Sequence, residues 1–90
     1  MGWKIDFTSD ANRDLKRLDP QTRARILRFV ADRLAQLDNP RDIGEALHGA
    51  ELGKYWKYRV GDYRIIASIQ DKLITIVVVS IGNRREVYRR

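Results

Sequence analysis

The longest apolar run in the chain, LITIVVVSI at residues 73–81, is the feature that most limits how the chain can fold. Its β-branched side chains favour a strand, and a strand this apolar is typical of the centre of a sheet. The run is far shorter than the roughly 20 apolar residues that a membrane-spanning helix needs. It therefore predicts a central strand, for which the rest of the chain must provide neighbouring strands and a cover.

The first half of the chain predicts a strand followed by two helices. Apolar and polar residues alternate over residues 3–7, as they do in a strand. Thr8 or Ser9 then caps a first helix, and Asp19-Pro20 begins a second helix that ends near Leu37. The apolar faces comprise Ala11, Leu15 and Leu18 in the first helix, and Ile26, Leu27, Val30, Leu34 and Leu37 in the second. The short link between the helices predicts an antiparallel hairpin.

The second half predicts three strands that cover this hairpin. They span residues 55–60, 63–69 and 73–81, with turns at Gly61-Asp62 and at residues 70–72. Residues 41–53 predict a short helical turn and a loop, and the last few residues a short edge strand. The fold class is therefore α+β with the order β-α-α-β-β-β. Residues 1–90 form a single domain, in which a small, mostly antiparallel sheet carries the N-terminal helix hairpin on one face and leaves the other face open.

Positive charge is concentrated in the last part of the chain. Residues 1–53 contain nine Lys/Arg and nine Asp/Glu, whereas residues 54–90 contain nine Lys/Arg and three Asp/Glu, so the whole net charge of +6 arises there. This asymmetry predicts a polyanionic partner, with nucleic acid ranked before anionic lipid. The absence of cysteine excludes disulfides and thiolate metal sites, and together with the lack of a signal-peptide pattern it favours a cytoplasmic protein that does not bind a membrane.

The stretch YWKYRV at residues 55–60 separates charged residues from core residues. Because side chains alternate along a strand, Tyr55, Lys57 and Arg59 share one face. Trp56 and Tyr58 share the other face and are expected to pack in the core. The charged face of this strand is therefore the part of the predicted sheet that can contact a polyanion.

The residues available for chemistry are lysine, arginine and tyrosine. The single histidine, His48, predicts a structural or solvated side chain, and neither a metal site nor a cofactor is predicted. The turn at residues 61–62 is expected to bring Arg64 beside Lys57, and surrounding like charges would lower the pKa of the lysine and make it a usable base. RNA supplies its own nucleophile, the 2′-hydroxyl, so cleavage needs only a base, charge stabilisation and a proton donor. From these residues alone, phosphate binding without cleavage is an equal alternative.

Two motifs of the chain resemble the RelE/ParE superfamily of bacterial toxins. They are KYWKYRVGDYRII at residues 54–66 and IGNRREVYR at residues 81–89, and the resemblance covers nearly the whole chain. It implies the toxin of a type II toxin–antitoxin system. A RelE-type member would be a metal-independent endoribonuclease, an mRNA interferase that cleaves mRNA in the ribosomal A site by 2′-hydroxyl attack and so inhibits translation. A ParE-type member would inhibit DNA gyrase without hydrolysis.

The resemblance also implies a role for each basic residue. Lys57 falls on the general base, Arg64 and Arg84 fall on charge stabilisers, and Tyr88 falls on a tyrosine that positions the nucleotide. Arg84 is also expected to act as proton donor. In some members a lysine stands where this chain has Tyr55. The residues expected to contact RNA besides these are Tyr55, Arg59, Arg85 and Arg89.

The expected partners are a RelB-like antitoxin, in a toxin–antitoxin hetero-oligomer, and the ribosome with its mRNA. Three functions stay open: ribosome-dependent mRNA cleavage, ParE-type inhibition of DNA gyrase, and a basic binding module without catalysis. The joint presence of Lys57, Arg64, Arg84 and Tyr88 favours the first of them.

Overall fold

Five strands and two α-helices make up the part of the chain that the structure describes. The structure is a computed structural model, and it describes residues 2–48 and 54–83. The elements are β1 (Lys4–Phe7), α1 (Ser9–Arg17), α2 (Pro20–Arg28), β2 (Glu45–Ala46), β3 (Trp56–Val60), β4 (Tyr63–Gln70) and β5 (Thr75–Asn83). The sheet order is β1-β5-β4-β3-β2, and only the pairing of β1 with β5 is parallel among these strands. The predicted α+β class with a mostly antiparallel sheet is confirmed.

The apolar run forms an interior strand of the sheet, between the edge strand β1 and β4. Ile76 and Val78 of β5 are fully buried, in agreement with the prediction. The strand begins later than predicted, because Asp71–Leu73 form a 3-10 turn and Ile74 adopts a left-handed conformation with φ of 47°. Leu73 and Ile74 are consequently exposed on the connection between β4 and β5.

Side-chain caps define where the two helices begin. The Thr8 hydroxyl accepts a hydrogen bond from the Ala11 amide at 3.1 Å, and the Asp19 carboxylate accepts one from the Thr22 amide at 3.1 Å. Hydrogen bonds from the Thr22 hydroxyl and amide hold the pKa of Asp19 below its ordinary value. Pro20 occupies the first turn of α2, where its missing amide proton costs no hydrogen bond. Both predicted helix starts are confirmed.

The second helix changes its geometry before it ends. After α2, Phe29–Arg33 form a π-helical turn and Leu34–Gln36 a 3-10 turn, so the chain leaves the helix at Leu37, as predicted. One residue of the predicted apolar stripe is misplaced: Leu27 is 39% exposed. Consecutive helix positions lie about 100° apart, and Ile26 occupies the inward position next to it.

The helices cover one face of the sheet, and the main core lies between the two layers. Tyr58 is buried there, and its hydroxyl donates a hydrogen bond to the Pro40 carbonyl at 2.6 Å. Burial raises the pKa of Tyr58. Trp56 packs against the same core and donates its indole N–H to the Ile43 carbonyl at 2.7 Å. The prediction that these two aromatic residues pack in the core is confirmed.

Two further predictions concern the segment that follows the helices and the last few residues of the chain. The short helical turn predicted after the helices is present as a 3-10 turn at Pro40–Asp42. The edge strand predicted for the last few residues lies outside the described residues. No helix within residues 2–48 and 54–83 is long and apolar enough to cross a membrane.

Candidate nucleic-acid interface

The sheet face opposite the helices carries the predicted basic residues. Lys57 and Arg59 lie on β3, and Arg64 lies on β4. The register pairs Arg59 directly with Arg64, and Lys57 with Ile66. Arg64 is therefore a diagonal neighbour of Lys57, about 7–8 Å away between backbones, and does not lie directly beside it as predicted. The tight turn at Gly61, with φ of 60°, sets this register.

Two arginines of the open face, Arg59 and Arg64, are direct partners across β3 and β4. Like charges directly opposite each other across two antiparallel strands destabilise the pair. Arg59 is exposed, and its Nε donates a hydrogen bond to the Gly61 carbonyl at 3.2 Å. A phosphate placed between the two guanidinium groups would offset their repulsion with charge-assisted hydrogen bonds.

Lys57 has a carboxylate partner that the sequence did not predict. Its Nζ lies 3.3 Å from Glu45 Oε2, and 20% of the Lys57 side chain is exposed against 73% of the Glu45 side chain. Glu45 stands opposite Lys57 in the pairing of β2 with β3. The prediction that like charges surround Lys57 missed this carboxylate, and the assignment of residues 45–46 to a loop is wrong. A two-residue strand is too short to give the alternation from which a strand is predicted.

Gly44 allows β2 to approach β3 this closely. Its φ is 79°, and a Cβ at this position would overlap the Lys57 carbonyl oxygen and lie 2.8 Å from Trp56 Nε1. The hydrogen bond from Trp56 to Ile43 holds the preceding backbone against β3. The Ile43–Gly44 segment thus sets the position of Glu45, and a glycine in this place is the only signal for it in the sequence.

A small apolar cluster lies beside the cations on the same face. Leu47 and Ile66 form its buried centre, and Tyr55 and Val79 pack against them. Tyr55 shares the face of Lys57, as predicted, and the Lys54 Nζ lies 5.5 Å from the centre of its ring. An aromatic ring next to phosphate-binding cations is a suitable surface for stacking a nucleobase.

An open groove of about 1010 Å³ runs between the second helix and β3. Its apolar lining comes from Phe29, Ile43, Tyr58 and Val60, and its charged lining from Arg25, Arg28, Asp32, Arg33 and Arg59. In sequence, the arginines of α2 are balanced by acidic residues along the chain, which is why they were not predicted to form a site. The fold concentrates them along one groove.

Four of the predicted site residues, Arg84, Arg85, Tyr88 and Arg89, lie outside the described residues. β5 ends at Asn83, one residue after Gly82, which pairs with Arg64. His48 is exposed, as predicted for a solvated side chain. Within residues 2–48 and 54–83, no group of three or more His, Asp or Glu side chains could hold a metal ion.

Comparison with known proteins places this chain in a family. The family model described as the ParE toxin of type II toxin–antitoxin systems matches residues 5–88. The toxin RelG of Mycobacterium tuberculosis is 32% identical over 90 residues, with 100% of both chains covered. The chain belongs to the RelE/ParE superfamily and is a toxin of a type II toxin–antitoxin system.

Solved structures agree with this assignment. The toxin–antitoxin complex RelBE2 from Mycobacterium tuberculosis contains a chain that matches with a TM-score of 0.84 at 29% identity, covering 96% of this chain and 95% of that one. The archaeal RelE–RelB complex from Pyrococcus horikoshii matches with a TM-score of 0.71 at 26% identity, covering 96% of this chain and 99% of that one. Both relatives are seen with an antitoxin bound.

Proposed function

We propose that this toxin is a metal-independent endoribonuclease that cleaves mRNA in the ribosomal A site. One observation carries the proposal: Lys57, Arg59 and Arg64 converge on the sheet face that the helices leave uncovered. A base and paired phosphate-binding groups are the parts that cleavage by an internal 2′-hydroxyl requires. The site of action implies a cytoplasmic protein.

In the proposed reaction, the 2′-hydroxyl oxygen attacks the adjacent phosphorus, and its proton passes to the neutral amine of Lys57. Glu45, 3.3 Å from Nζ, favours the ammonium form of Lys57, so Lys57 acts as the base only when the bound RNA has displaced this contact. The phosphorus–5′-oxygen bond breaks, and the leaving oxygen takes a proton from Arg84. The products are a 2′,3′-cyclic phosphate and a 5′-hydroxyl.

Arginine groups stabilise the charge that develops on the phosphate in this proposal. Arg64 contacts the equatorial oxygens from β4, and Arg59, directly opposite, contacts the neighbouring backbone phosphate. Tyr88 holds the target nucleotide, and Tyr55, Arg85 and Arg89 contact the flanking RNA. The site presents few groups that could orient a flexible RNA, so the ribosome supplies that orientation by holding the codon in place.

We further propose that an antitoxin of RelB type inhibits the toxin by occupying the arginine-lined groove. An amphipathic, acidic segment matches both the apolar and the basic lining of this groove. β2 pairs only with Trp56 and Lys57, so no strand among the described residues pairs with the outer edge of β3 from Tyr58 to Val60. Because Arg59 lines the groove as well as the open face, an antitoxin there would compete with RNA.

Inhibition of DNA gyrase is the second candidate function, and the match to the ParE toxin model favours it. A gyrase inhibitor of this fold needs a binding surface and no base beside a phosphate-binding pair. The two candidates therefore differ in whether removal of Lys57 abolishes toxicity or leaves it intact.

The test of this proposal is to express the toxin and map the 5′ ends of cellular mRNA. We expect cuts within codons at the ribosomal A site. Lys57→Ala should slow single-turnover cleavage on ribosomes by about 10²–10⁴-fold, the usual contribution of a general base. Arg64→Ala should slow it by about 10²–10³-fold, as expected when one stabilising donor is lost.

Lys72→Ala is the matched control, because this exposed lysine lies on the connection between β4 and β5. It should cleave at the wild-type rate, and thermal unfolding should show that all the variants remain folded. Double-strand DNA breaks that depend on gyrase, with mRNA left intact, would establish the second candidate in place of the first.

A further inference from the structure

One buried carboxylate belongs to neither the open face nor the groove. Asp14, on α1, is only 4% exposed. Its Oδ2 accepts a hydrogen bond of 2.9 Å from the backbone amide of Ile81, 67 residues later in the chain. Burying a carboxylate is unfavourable unless charge-assisted hydrogen bonds compensate, so a buried aspartate that binds a strand amide requires an explanation.

The explanation begins with the unequal lengths of β1 and β5. β1 pairs with β5 only from Thr75 to Val78, whereas β5 continues to Asn83. Beyond Val78, β5 has no strand beside it on the side of β1 in the part of the chain that the structure describes. Side chains at the start of α1 and within α1 make hydrogen bonds to β5 in its place. The Thr8 hydroxyl donates a hydrogen bond to the Val79 carbonyl at 3.2 Å, and the Asp14 carboxylate accepts the Ile81 amide.

The second half of β5 therefore has a strand on one side and helix side chains on the other. Without Asp14, the Ile81 amide would lie buried against α1 with no acceptor in that position, which is a costly arrangement for a backbone N–H group. Asp14 thus fixes the backbone of β5 at one point near its end.

That point is adjacent to the proposed cleavage site. Ile81 precedes Gly82, which pairs with Arg64, and Asn83, which pairs with Tyr63. A displacement of β5 at Ile81 would therefore be transmitted to Arg64 through the strand pairing.

We propose that Asp14 is a positioning residue for RNA cleavage, which holds the end of β5 so that Arg64 meets the scissile phosphate in the correct geometry. This inference rests on the proposed function. Asp14 itself touches no RNA. Its loss therefore affects the rate of the chemical step more than the affinity for the ribosome.

The experiment compares Asp14→Leu with Asp14→Asn in single-turnover cleavage on programmed ribosomes. Leucine keeps the branched shape and the number of side-chain heavy atoms and removes the acceptor, and misplacement of a reacting group by about 1 Å can cost about 10²-fold in rate. We expect Asp14→Leu to slow cleavage by about 10- to 100-fold with an unchanged dissociation constant for the ribosome. Asparagine keeps an acceptor oxygen, so Asp14→Asn should restore the rate to within about threefold of wild type.

Ile26→Val is the matched control for a general loss of stability, because Ile26 is fully buried in the main core and its aliphatic side chain makes no hydrogen bond to β5. It should lower the unfolding temperature and leave the cleavage rate unchanged. Hydrogen exchange at the Ile81 amide provides a direct measure of the contact: it should be slow in wild type and in Asp14→Asn, and faster in Asp14→Leu.

Several results would overturn the inference. Wild-type cleavage by Asp14→Leu would do so, as would equal slowing by Asp14→Leu and Ile26→Val, since the effect would then be one of stability alone. If Asp14→Leu does not fold, Asp14→Glu provides the test, because its one added methylene displaces the carboxylate. Slower cleavage by Asp14→Glu would then support the inference, and cleavage at the wild-type rate would contradict it. If the wild-type toxin itself cuts no mRNA, the proposed function fails first and this inference falls with it.

Discussion

The two faces of the sheet are built from neighbouring residues of the same strands, but one face is buried in the core and the other is exposed and positively charged. On the covered face, Tyr58 and Ile65 are at most 1% exposed and pack in the main core. On the open face, Lys57 and Arg64, their immediate neighbours in sequence, gather positive charge. Because side chains alternate, a register slip of one residue would exchange the two sets. Along each strand, residues that pack in the core thus alternate with residues that are proposed to act on RNA.

The largest change in the free energy of unfolding is expected from substitutions of two adjacent isoleucines of β4, one on each face of the sheet. Ile65 is fully buried in the main core, whereas Ile66 belongs to the small cluster on the open face. Ile65→Ala should lower the free energy of unfolding by about 2–5 kcal/mol, and Ile66→Ala by about 1–2 kcal/mol because fewer neighbours surround it. Urea unfolding of the two variants measures the difference. Equal losses would mean that both faces stabilise the fold alike.

A smaller loss of stability is expected from a substitution at Gly44, where β2 approaches β3. Gly44→Ala should lower the free energy of unfolding by about 1–3 kcal/mol, because alanine is strained at positive φ and its Cβ would overlap the Lys57 carbonyl. The substitution should also disturb the contact of Glu45 with Lys57 on the open face.

Gly2→Ala is the control for that substitution. A Cβ at Gly2 would have the Ala35 carbonyl oxygen as its nearest neighbour, at 3.9 Å, which is an ordinary contact. Its effect should stay within about 0.5 kcal/mol. A Gly44→Ala variant as stable as Gly2→Ala would show that β2 can move away from β3 without cost.

The smallest effect concerns a salt bridge that belongs to neither face. The Arg41 guanidinium donates two hydrogen bonds of 2.9 Å to the Asp71 carboxylate, which joins the turn before β2 to the connection between β4 and β5. These bonds hold the pKa of Asp71 below its ordinary value of 3.8. The stabilisation is therefore present above that value and is lost as the pH falls through the lower pKa of the folded state.

Acid unfolding tests this expectation. The free energy of unfolding should fall less steeply below pH 3.8 in Asp71→Asn than in wild type, and Lys72→Ala should keep the wild-type slope. The difference should be small because Asp71 is exposed. Identical slopes in Asp71→Asn and wild type would show that this pair does not contribute to stability.

Local signals in the sequence account for most of the fold that was predicted. The caps at Thr8 and Asp19 and the apolar stretch of β5 are each confined to a few residues, and all are confirmed. The π-helical turn after α2 leaves no periodic signature, and β2 exists only because Gly44 brings it against β3. Elements that depend on tertiary contacts were therefore missed.

In the candidate site, too, features with a local sequence signal were predicted and features that depend on tertiary contacts were missed. Alternation correctly placed Lys57 and Arg59 on one face, because it depends on the strand alone. Glu45 and Asp14 act through contacts between distant segments, and no spacing in the sequence indicates them. The roles of Arg84, Arg85, Tyr88 and Arg89 stay predictions.

The opposed arginines of β3 and β4 have a thermodynamic consequence. Arg59 and Arg64 stand opposite each other across β3 and β4, so a polyanion that binds both of them would also stabilise the folded toxin. In the proposed function, antitoxin and RNA compete for Arg59, so only one of them at a time can stabilise the fold through this residue. Under that proposal, the concentrations and relative affinities of antitoxin and RNA decide how much of the toxin is inhibited and how much is bound to its target.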